Sequence, residues 1–369
     1  MNSKLIKSVS IGLTLSAIFT LSSCKNETKT TETPTVTESE KETPKTVYAS
    51  DVIPFFDNWK LILGDGSNVG IPIDFENKDF FYTTNDGKNN WVVFKAPNGG
   101  NTHGTSNNTR TELAQTKKWY PKTADDKLTA TLKVMNVSAT GDARVAATHA
   151  VVVGQIHSAD AFENEPLKIF YKKYPGQDKG SVFWHYEINT AGDDNSKRWD
   201  YSSAVWGNDF SVVGTDANTY PEEPADGIKL GEEFSYTIEV KDGIMNLTFS
   251  SPGHETKTFT KNIVESEYTT VADIPEQTKN LFFPLGQDGL ERKEAYTGEG
   301  CFFKLGCYNQ TNGKSPEINK NWCSGAETHG GDIQKQYTDG NYAEVWFKTG
   351  SISISDAAVS NDGYFAKND

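Results

Sequence analysis

The sequence has few basic residues for the number of acidic ones. It contains 36 Lys and Arg against 50 Asp and Glu, and its net charge at pH 7 is −14. Nucleic-acid binding needs a clustered positive surface, so this balance argues against it. An acidic ligand stays compatible, because the charge of a cleft can oppose the net charge of a protein. A site for such a ligand must then carry its own positive residues.

Long hydrophobic runs and metal-binding cysteine patterns are also lacking. No two of the four cysteines have the spacing of a zinc site, so we expect no metal. The apolar run at residues 11–21 is shorter than the roughly 20 residues that a membrane-spanning helix needs. Because Lys4 and Lys7 precede this run, residues 1–23 are predicted to be an export signal.

The export signal ends in a short motif that predicts a lipid anchor. Leu21-Ser22-Ser23-Cys24 resembles the lipobox of bacterial lipoproteins, which implies cleavage before Cys24 and acylation of its thiol. Residues 25–47 have almost no apolar content and read as a solvated tether. We therefore expect an outer-membrane lipoprotein on the periplasmic or cell-surface face. The alternative is an ordinary signal peptide with an incidental cysteine.

Three cysteines follow the tether, namely Cys301, Cys307 and Cys323. Export permits a disulfide, and an odd number leaves one thiol over. A bond between Cys307 and Cys323 is the preferred pairing.

Helix signals are scarce in residues 48–369, which form one predicted domain. Alternating apolar and polar residues at 127–137 predict a half-buried strand. Lys241-Asp242-Gly243 separates two further strand-like runs and predicts a hairpin. Strand-like stretches also cover residues 144–157, 301–310 and 343–354. The fold class is therefore predicted to be all-β, an antiparallel sandwich of jelly-roll type with a concave substrate cleft.

The strand pattern lapses at residues 190–231, which hold several tryptophans, tyrosines, glycines and prolines. A loop this long in a compact domain is usually functional or disordered, and its aromatic content argues against disorder. We expect this segment, with residues 98–108 and 312–321, to wall off one end of a groove. A groove closed in this way admits chain ends only, whereas an open groove cuts internally.

Three short segments combine polar residues that strand interiors seldom hold without a use. They are residues 110–115 (RTELAQ), 155–157 (QIH) and 301–310 (CFFKLGCYNQ). Alternate residues of a strand point to the same face. The residues that share a face within each segment are Arg110 and Glu112, Gln155 and His157, and Lys304, Tyr308 and Gln310. Three adjacent strands would gather them on one cleft floor.

Together these segments resemble the alginate lyases of polysaccharide lyase family 7. The family patterns are R-[ST]-E-L-R, Q-[IV]-H and Y-F-K-A-G-x-Y-x-Q, in this order on a jelly roll. This sequence departs from them at Ala114, where the family has a second Arg, and at Phe302 and Leu305. The missing cation at Ala114 bears on a substrate-carboxylate contact at one subsite. The resemblance implies a monomeric enzyme that cleaves alginate by β-elimination without a cofactor.

The chemistry accounts for these residue types. Cleavage removes the proton at C5 of a uronate and expels the oxygen at C4, so the adjacent carboxylate must be neutralised. Groups that stabilise developing charge contribute about 3–4 kcal/mol each. Arg110 and Gln155 suit this role, His157 or Tyr308 can act as the base, and Tyr308 can act as the acid.

These four residues are the predicted catalytic set. The predicted substrate-binding residues are Glu112, Lys304, Gln310 and His103.

Other interpretations remain open at this level. A tethered sandwich that only binds glycan would use the same aromatics, and a lyase of this family could act on another polyuronate. A glycoside hydrolase is disfavoured, because no paired carboxylates occupy inward-facing strand positions. Within the resemblance, Ile156 beside His157 implies a preference for guluronate-containing blocks.

Overall fold

The computed structural model describes residues 46–53, 56–104, 106–159, 165–188, 199–264 and 300–355. All of them lie in the compact unit Thr46–Asp369. The predicted signal peptide, Cys24 and nearly all of the predicted tether lie outside the described residues. None of the described helices is long and apolar enough to span a membrane.

Segments with alternating apolar and polar residues form strands, and the apolar side chains of these strands pack in a shared core. The strands are β1 (Trp59–Ile62), β2 (Asn68–Gly70), β3 (Phe81–Asn85), β4 (Asn90–Pro97), β5 (Arg110–Gln115), β6 (Asp125–Asn136), β7 (Ala150–Ser158), β8 (Leu167–Lys172), β9 (Lys179–Ile188), β10 (Trp199–Trp206), β11 (Ile228–Lys229), β12 (Phe234–Lys241), β13 (Ile244–Ser250), β14 (Lys257–Asn262), β15 (Cys301–Asn309), β16 (Tyr342–Lys348) and β17 (Ser353–Ile354). The helices are short: α1 (Ala49–Val52), α2 (Ile333–Thr338), and single 3₁₀ turns at Phe56–Asn58, Pro121–Thr123 and His329–Gly331.

The strands form two antiparallel sheets. Sheet A has the order β10-β9-β8-β7-β15-β5-β1-β2, with β11 paired to β9. Sheet B has the order β14-β13-β12-β6-β16-β4-β3, with β17 paired to β6. One core cluster contains buried side chains of both sheets, such as Leu113 and Leu305 of sheet A and Phe94 and Ile238 of sheet B. This arrangement confirms the predicted all-β sandwich.

The predicted hairpin is present between β12 and β13. Asp242 has φ 46° and Gly243 has φ 82°, as a two-residue turn of type I′ requires. Its strands pair in regular register from Ser235 opposite Ser250 to Lys241 opposite Ile244.

Two expectations are wrong. Residues 199–206 form strand β10, which extends sheet A beyond β9, so the segment 190–231 is not a loop throughout. The predicted Cys307–Cys323 disulfide is absent, since Cys301, Cys307 and Cys323 are all buried free cysteines. Cys307 points into the core between the sheets, whereas Cys323 lies in the loop that follows β15.

A bulge in the middle of sheet A shapes the surface above it. Between β15 and β7 the register shifts, because Leu305 lies opposite Gly154 and Tyr308 lies opposite Val152. The shift places Val152 beside Tyr308 on the outer face, while its neighbour Val153 enters the core. Bulges of this kind re-aim side chains and often adjoin active sites.

Candidate active site

The three polar segments lie on the three adjacent central strands of sheet A. In β15, Lys304 lies opposite Gln155 of β7 on one side and opposite Ala114 of β5 on the other. Further along, Tyr308 lies opposite Arg110 of β5. The predicted catalytic residues therefore share the outer face of sheet A, the face directed away from the core.

The side chain of Glu112, on β5, contacts side chains of all three strands. Its side chain is buried, at 2 % exposure, and it accepts a hydrogen bond from Nε2 of Gln155. Nη1 of Arg110 lies 3.3 Å from Oε2 of Glu112, and Nζ of Lys304 lies 3.6 Å from the same oxygen. A buried carboxylate is tolerated only when it is paired and hydrogen-bonded, and here three strands supply the partners.

Arg110 and Tyr308 form a second contact above this carboxylate. The guanidinium carbon of Arg110 lies 3.7 Å from the centre of the Tyr308 ring. Ser106 bridges the two side chains, because its Oγ lies 3.2 Å from the hydroxyl of Tyr308 and accepts a hydrogen bond of 3.2 Å from Nη2 of Arg110. These contacts fix the tyrosine hydroxyl beside a positive charge.

Two buried polar atoms in this cluster have no hydrogen-bond partner within the described residues. They are Nε of Arg110, a donor, and Oε1 of Gln155, an acceptor. Unsatisfied buried groups are rare in folded proteins and call for an explanation such as a ligand. A carboxylate accepts from a guanidinium, and a sugar hydroxyl donates to an amide oxygen. This pair of atoms therefore suits an acidic sugar.

His157 is held in one tautomer. Its Nδ1 donates to the carbonyl oxygen of Ser158 at 2.7 Å, which leaves the lone pair of the neutral ring on Nε2. Burial lowers the pKa of His157 to about 3, and Lys304 acts in the same direction, against the opposing effect of Glu165. The imidazole is therefore neutral at ordinary pH and able to accept a proton.

A buried ion-pair network adjoins His157, and sequence reasoning did not predict it. Glu165 lies 3.7 Å from Nε2 of His157 and 2.9 Å from Nζ of Lys168. Lys168 also pairs with Glu187 at 3.0 Å. The available signal was a pair of lysines on the same face of the apolar strand β8, Lys168 and Lys172. Burial would raise the pKa of Glu165, but Lys168 and His157 outweigh it and hold that pKa below its usual value.

The remaining predicted binding residues differ in their placement. Burial lowers the pKa of His103, and the nearby charges of Arg110 and Lys304 lower it further. Gln310 follows the end of β15, is buried, and donates to the carbonyl of Tyr308 at 3.4 Å. Glu112 contacts protein groups below the surface, as described above. Within the described ranges, no three His, Cys, Asp or Glu side chains group together as metal ligands.

Aromatic side chains cover the outer face over β8 and β9. Phe210 packs on Phe170, Phe183 and His185, with ring centres 5.5, 5.9 and 5.5 Å away. Trp322, from the loop after β15, lies 5.1 Å from Phe210. Phe210 comes from a segment that was expected to wall off the groove, and Trp322 directly follows another such segment. Phe210 belongs to the cluster that contains Tyr308, and Trp322 packs against that cluster.

Comparisons with known proteins identify the family of this chain. The family model described as Alginate lyase matches residues 53–354. An alginate lyase from Klebsiella pneumoniae is 26% identical over 276 residues, which is 66% of this chain and 75% of that protein. Among solved structures, the exolytic PL7 alginate lyase AlyA5 from Zobellia galactanivorans is 59% identical with a TM-score of 0.80, and the match covers 85% of this chain and 99% of that one. A structure of an alginate lyase from Klebsiella pneumoniae, 22% identical with a TM-score of 0.55, covers 81% of this chain and 95% of that one and supports the fold.

Lys304 gives the site a testable pH dependence. Burial lowers its pKa to about 8, with Glu112 opposing and Arg110 adding to this effect. A lysine is charged below its pKa, so Lys304 loses its charge as the pH rises through about 8. We expect kcat/KM on alginate to fall over that range. The measurement is a pH–rate profile of the ultraviolet absorbance of unsaturated products.

Lys304→Arg is the matched variant for this profile, because a guanidinium stays charged throughout. Its alkaline limb should shift to higher pH. An alkaline limb identical to that of the wild type would assign the loss to another group.

Proposed function

This chain belongs to the alginate lyase family and is a polysaccharide lyase, and we propose that it works from chain ends, with Arg110, Gln155, His157 and Tyr308 as its catalytic residues. The observation that carries the catalytic assignment is the cluster around buried Glu112. It gathers a guanidinium, an amide and an ammonium from three strands on the outer face of sheet A.

Arg110 neutralises the carboxylate of the reacting uronate, and Gln155 donates to it through the second N–H of Nε2, since the first is bonded to Glu112. Removal of the C5 proton places negative charge on that carboxylate, and fixed donors stabilise such charge strongly in a site that excludes water. In this scheme the guanidinium of Arg110, whose side chain is 11 % exposed, meets the substrate carboxylate, and its Nε and the Oε1 of Gln155 have no hydrogen-bond partner among the described residues. Glu112 is a positioning residue in this scheme, since it orients both side chains from below without reaching the substrate.

His157 and Tyr308 transfer the protons. Nε2 of neutral His157 takes the proton from C5, the C5 electron pair forms the C4–C5 double bond, and the C4–O bond breaks. The hydroxyl of Tyr308 gives its proton to the departing oxygen. Ser106 orients that hydroxyl through the 3.2 Å contact between their oxygens. The products are one chain with a new hydroxyl end and one with an unsaturated uronate end.

Removing either proton-transfer group tests this assignment. We expect Tyr308→Phe and His157→Ala to lose at least about 100-fold in kcat, because a positioned acid or base contributes roughly 10²–10⁴ in rate. Near-ultraviolet circular dichroism checks the fold. Tyr82→Phe, on a half-buried tyrosine of sheet B, is the matched control and should keep wild-type turnover. Turnover within threefold of wild type in Tyr308→Phe would remove this tyrosine from the mechanism.

The aromatic cover over β8 and β9 supports action at chain ends. Phe210 and Trp322 occupy the outer face where an open groove would continue past His157 toward β10. A polymer that enters from the β1 side then stops at this cover, so only a terminus reaches the catalytic residues. The similarity to the exolytic AlyA5, at 59% identity, supports the same mode for this chain.

Viscosity measured against bond cleavage tests this mode. We expect viscosity to fall slowly while absorbance from unsaturated ends accumulates, with mono- or disaccharides present from the first minutes. A sharp early fall in viscosity would show internal cutting.

Running the assay on guluronate and mannuronate blocks tests a second proposal, that guluronate-containing blocks are preferred. Ile156 supports it only indirectly, because this side chain packs in the core beneath His157; faster cleavage of mannuronate blocks would contradict it.

We also propose that the enzyme is an outer-membrane lipoprotein that acts as a monomer on a tether. The support is the sequence before residue 48, namely the basic start, the apolar run and the motif ending in Cys24.

Cys24→Ser should release the protein from membranes or leave an unprocessed precursor, since acylation needs the thiol. Detergent-phase partition of the variant is the measurement. Partition equal to that of the wild type would contradict lipidation, and protease treatment of intact cells distinguishes the two membrane faces.

A further inference from the structure

A row of lysines crosses the outer face of sheet A. The register places Lys60 of β1 opposite Ala114 of β5, Ala114 opposite Lys304 of β15, and Lys304 opposite Gln155. Gln155 lies opposite Lys168 of β8. The three lysines therefore occupy alternate strands, about 10 Å apart for two strand spacings.

Two of these lysines have carboxylate partners in the protein. Lys304 pairs with Glu112, and Lys168 pairs with Glu165 and Glu187. Lys60 is half-buried and makes no ion pair or side-chain hydrogen bond within the described parts of the chain. Among the three lysines, the ammonium of Lys60 is therefore the one that can bind an external anion.

Lys60 adjoins a buried apolar cluster. Ile62, Ala114, Ala159 and Phe302 make one buried cluster on this face. Lys60 is the direct cross-strand neighbour of Ala114, so their Cβ atoms are about 5 Å apart. Ala114 is itself buried, at 1 % exposure, whereas Lys60 is half-buried and so reaches the surface. A uronate carries one carboxylate, and a carboxylate is a suitable partner for this ammonium.

We propose that Lys60 binds the carboxylate of a uronate residue outside the catalytic subsite, on the side of the site opposite Phe210 and Trp322. This inference rests on the proposed function, because it requires a polyuronate that enters from the β1 side. Each sugar of such a chain carries its own carboxylate. Arg110 meets the one at the reacting sugar, and Lys60 meets one further along the chain toward β1.

Kinetics on substrates of different length test this assignment. We expect Lys60→Gln to raise KM for polymeric alginate by about 3- to 10-fold, with a much smaller change in kcat, since a pair at the rim contributes to ground-state and transition-state binding alike. The increase should be largest on the polymer and smallest on the shortest oligomer that the enzyme cleaves, because a short chain does not reach β1. Lys60→Arg should restore most of the affinity.

Lys88→Gln is the matched control, because it removes the same charge from an exposed turn of sheet B and should leave KM unchanged. Equal KM values for wild type and Lys60→Gln on the polymer would overturn the assignment, and so would an increase of the same size on every chain length. Thermal unfolding of each variant excludes a folding defect as the cause. Absence of unsaturated ends with the wild-type enzyme would instead contradict the lyase function itself, so the two failures are distinguishable.

Discussion

The arrangement of the active site depends on the burial of one carboxylate. Glu112 carries a negative charge beneath the outer face of sheet A, and burying it without partners would cost several kcal/mol. Arg110, Gln155 and Lys304 supply those partners from three strands. Gly306 lies opposite Glu112, and a side chain there would place its Cβ 2.8 Å from the Glu112 Cα atom and 2.5 Å from the carbonyl of Thr111. A glycine with φ of 147° is therefore required for the strands to approach at this point.

This arrangement explains how an acidic protein handles an acidic polymer. Inside the site Arg110, Lys304 and Lys168 are matched by the carboxylates of Glu112, Glu165 and Glu187, so an acidic polymer is bound through oriented donors and not through an excess of positive charge. Lys304 and Arg110 help burial to keep His157 neutral, because both lower its pKa. Their own carboxylate partners hold them in place, so they are oriented before the substrate binds. A donor set that is already oriented does not have to reorganise as charge develops on the substrate.

The sequence predicts those parts of the site that follow from local periodicity. Alternation within β5, β7 and β15 places Arg110 with Glu112, Gln155 with His157, and Lys304 with Tyr308, and resemblance to a family orders the three strands. Contacts between distant segments are not accessible in this way. The partners Glu165 and Ser106, the aromatic cover from Phe210 and the free state of Cys307 all depend on how loops return over the sheets.

The central claim is that Glu112 organises catalysis without contacting substrate, and the turnover of Glu112→Gln tests it most directly. This substitution keeps the shape of the side chain and removes its charge. At saturating alginate, kcat should fall about 100-fold, the loss typical for a misplaced charge-stabilising donor. Glu344→Gln, on the half-buried Glu344 of sheet B, is the matched control and should keep wild-type turnover. A folded Glu112→Gln variant with kcat within twofold of wild type would contradict the account.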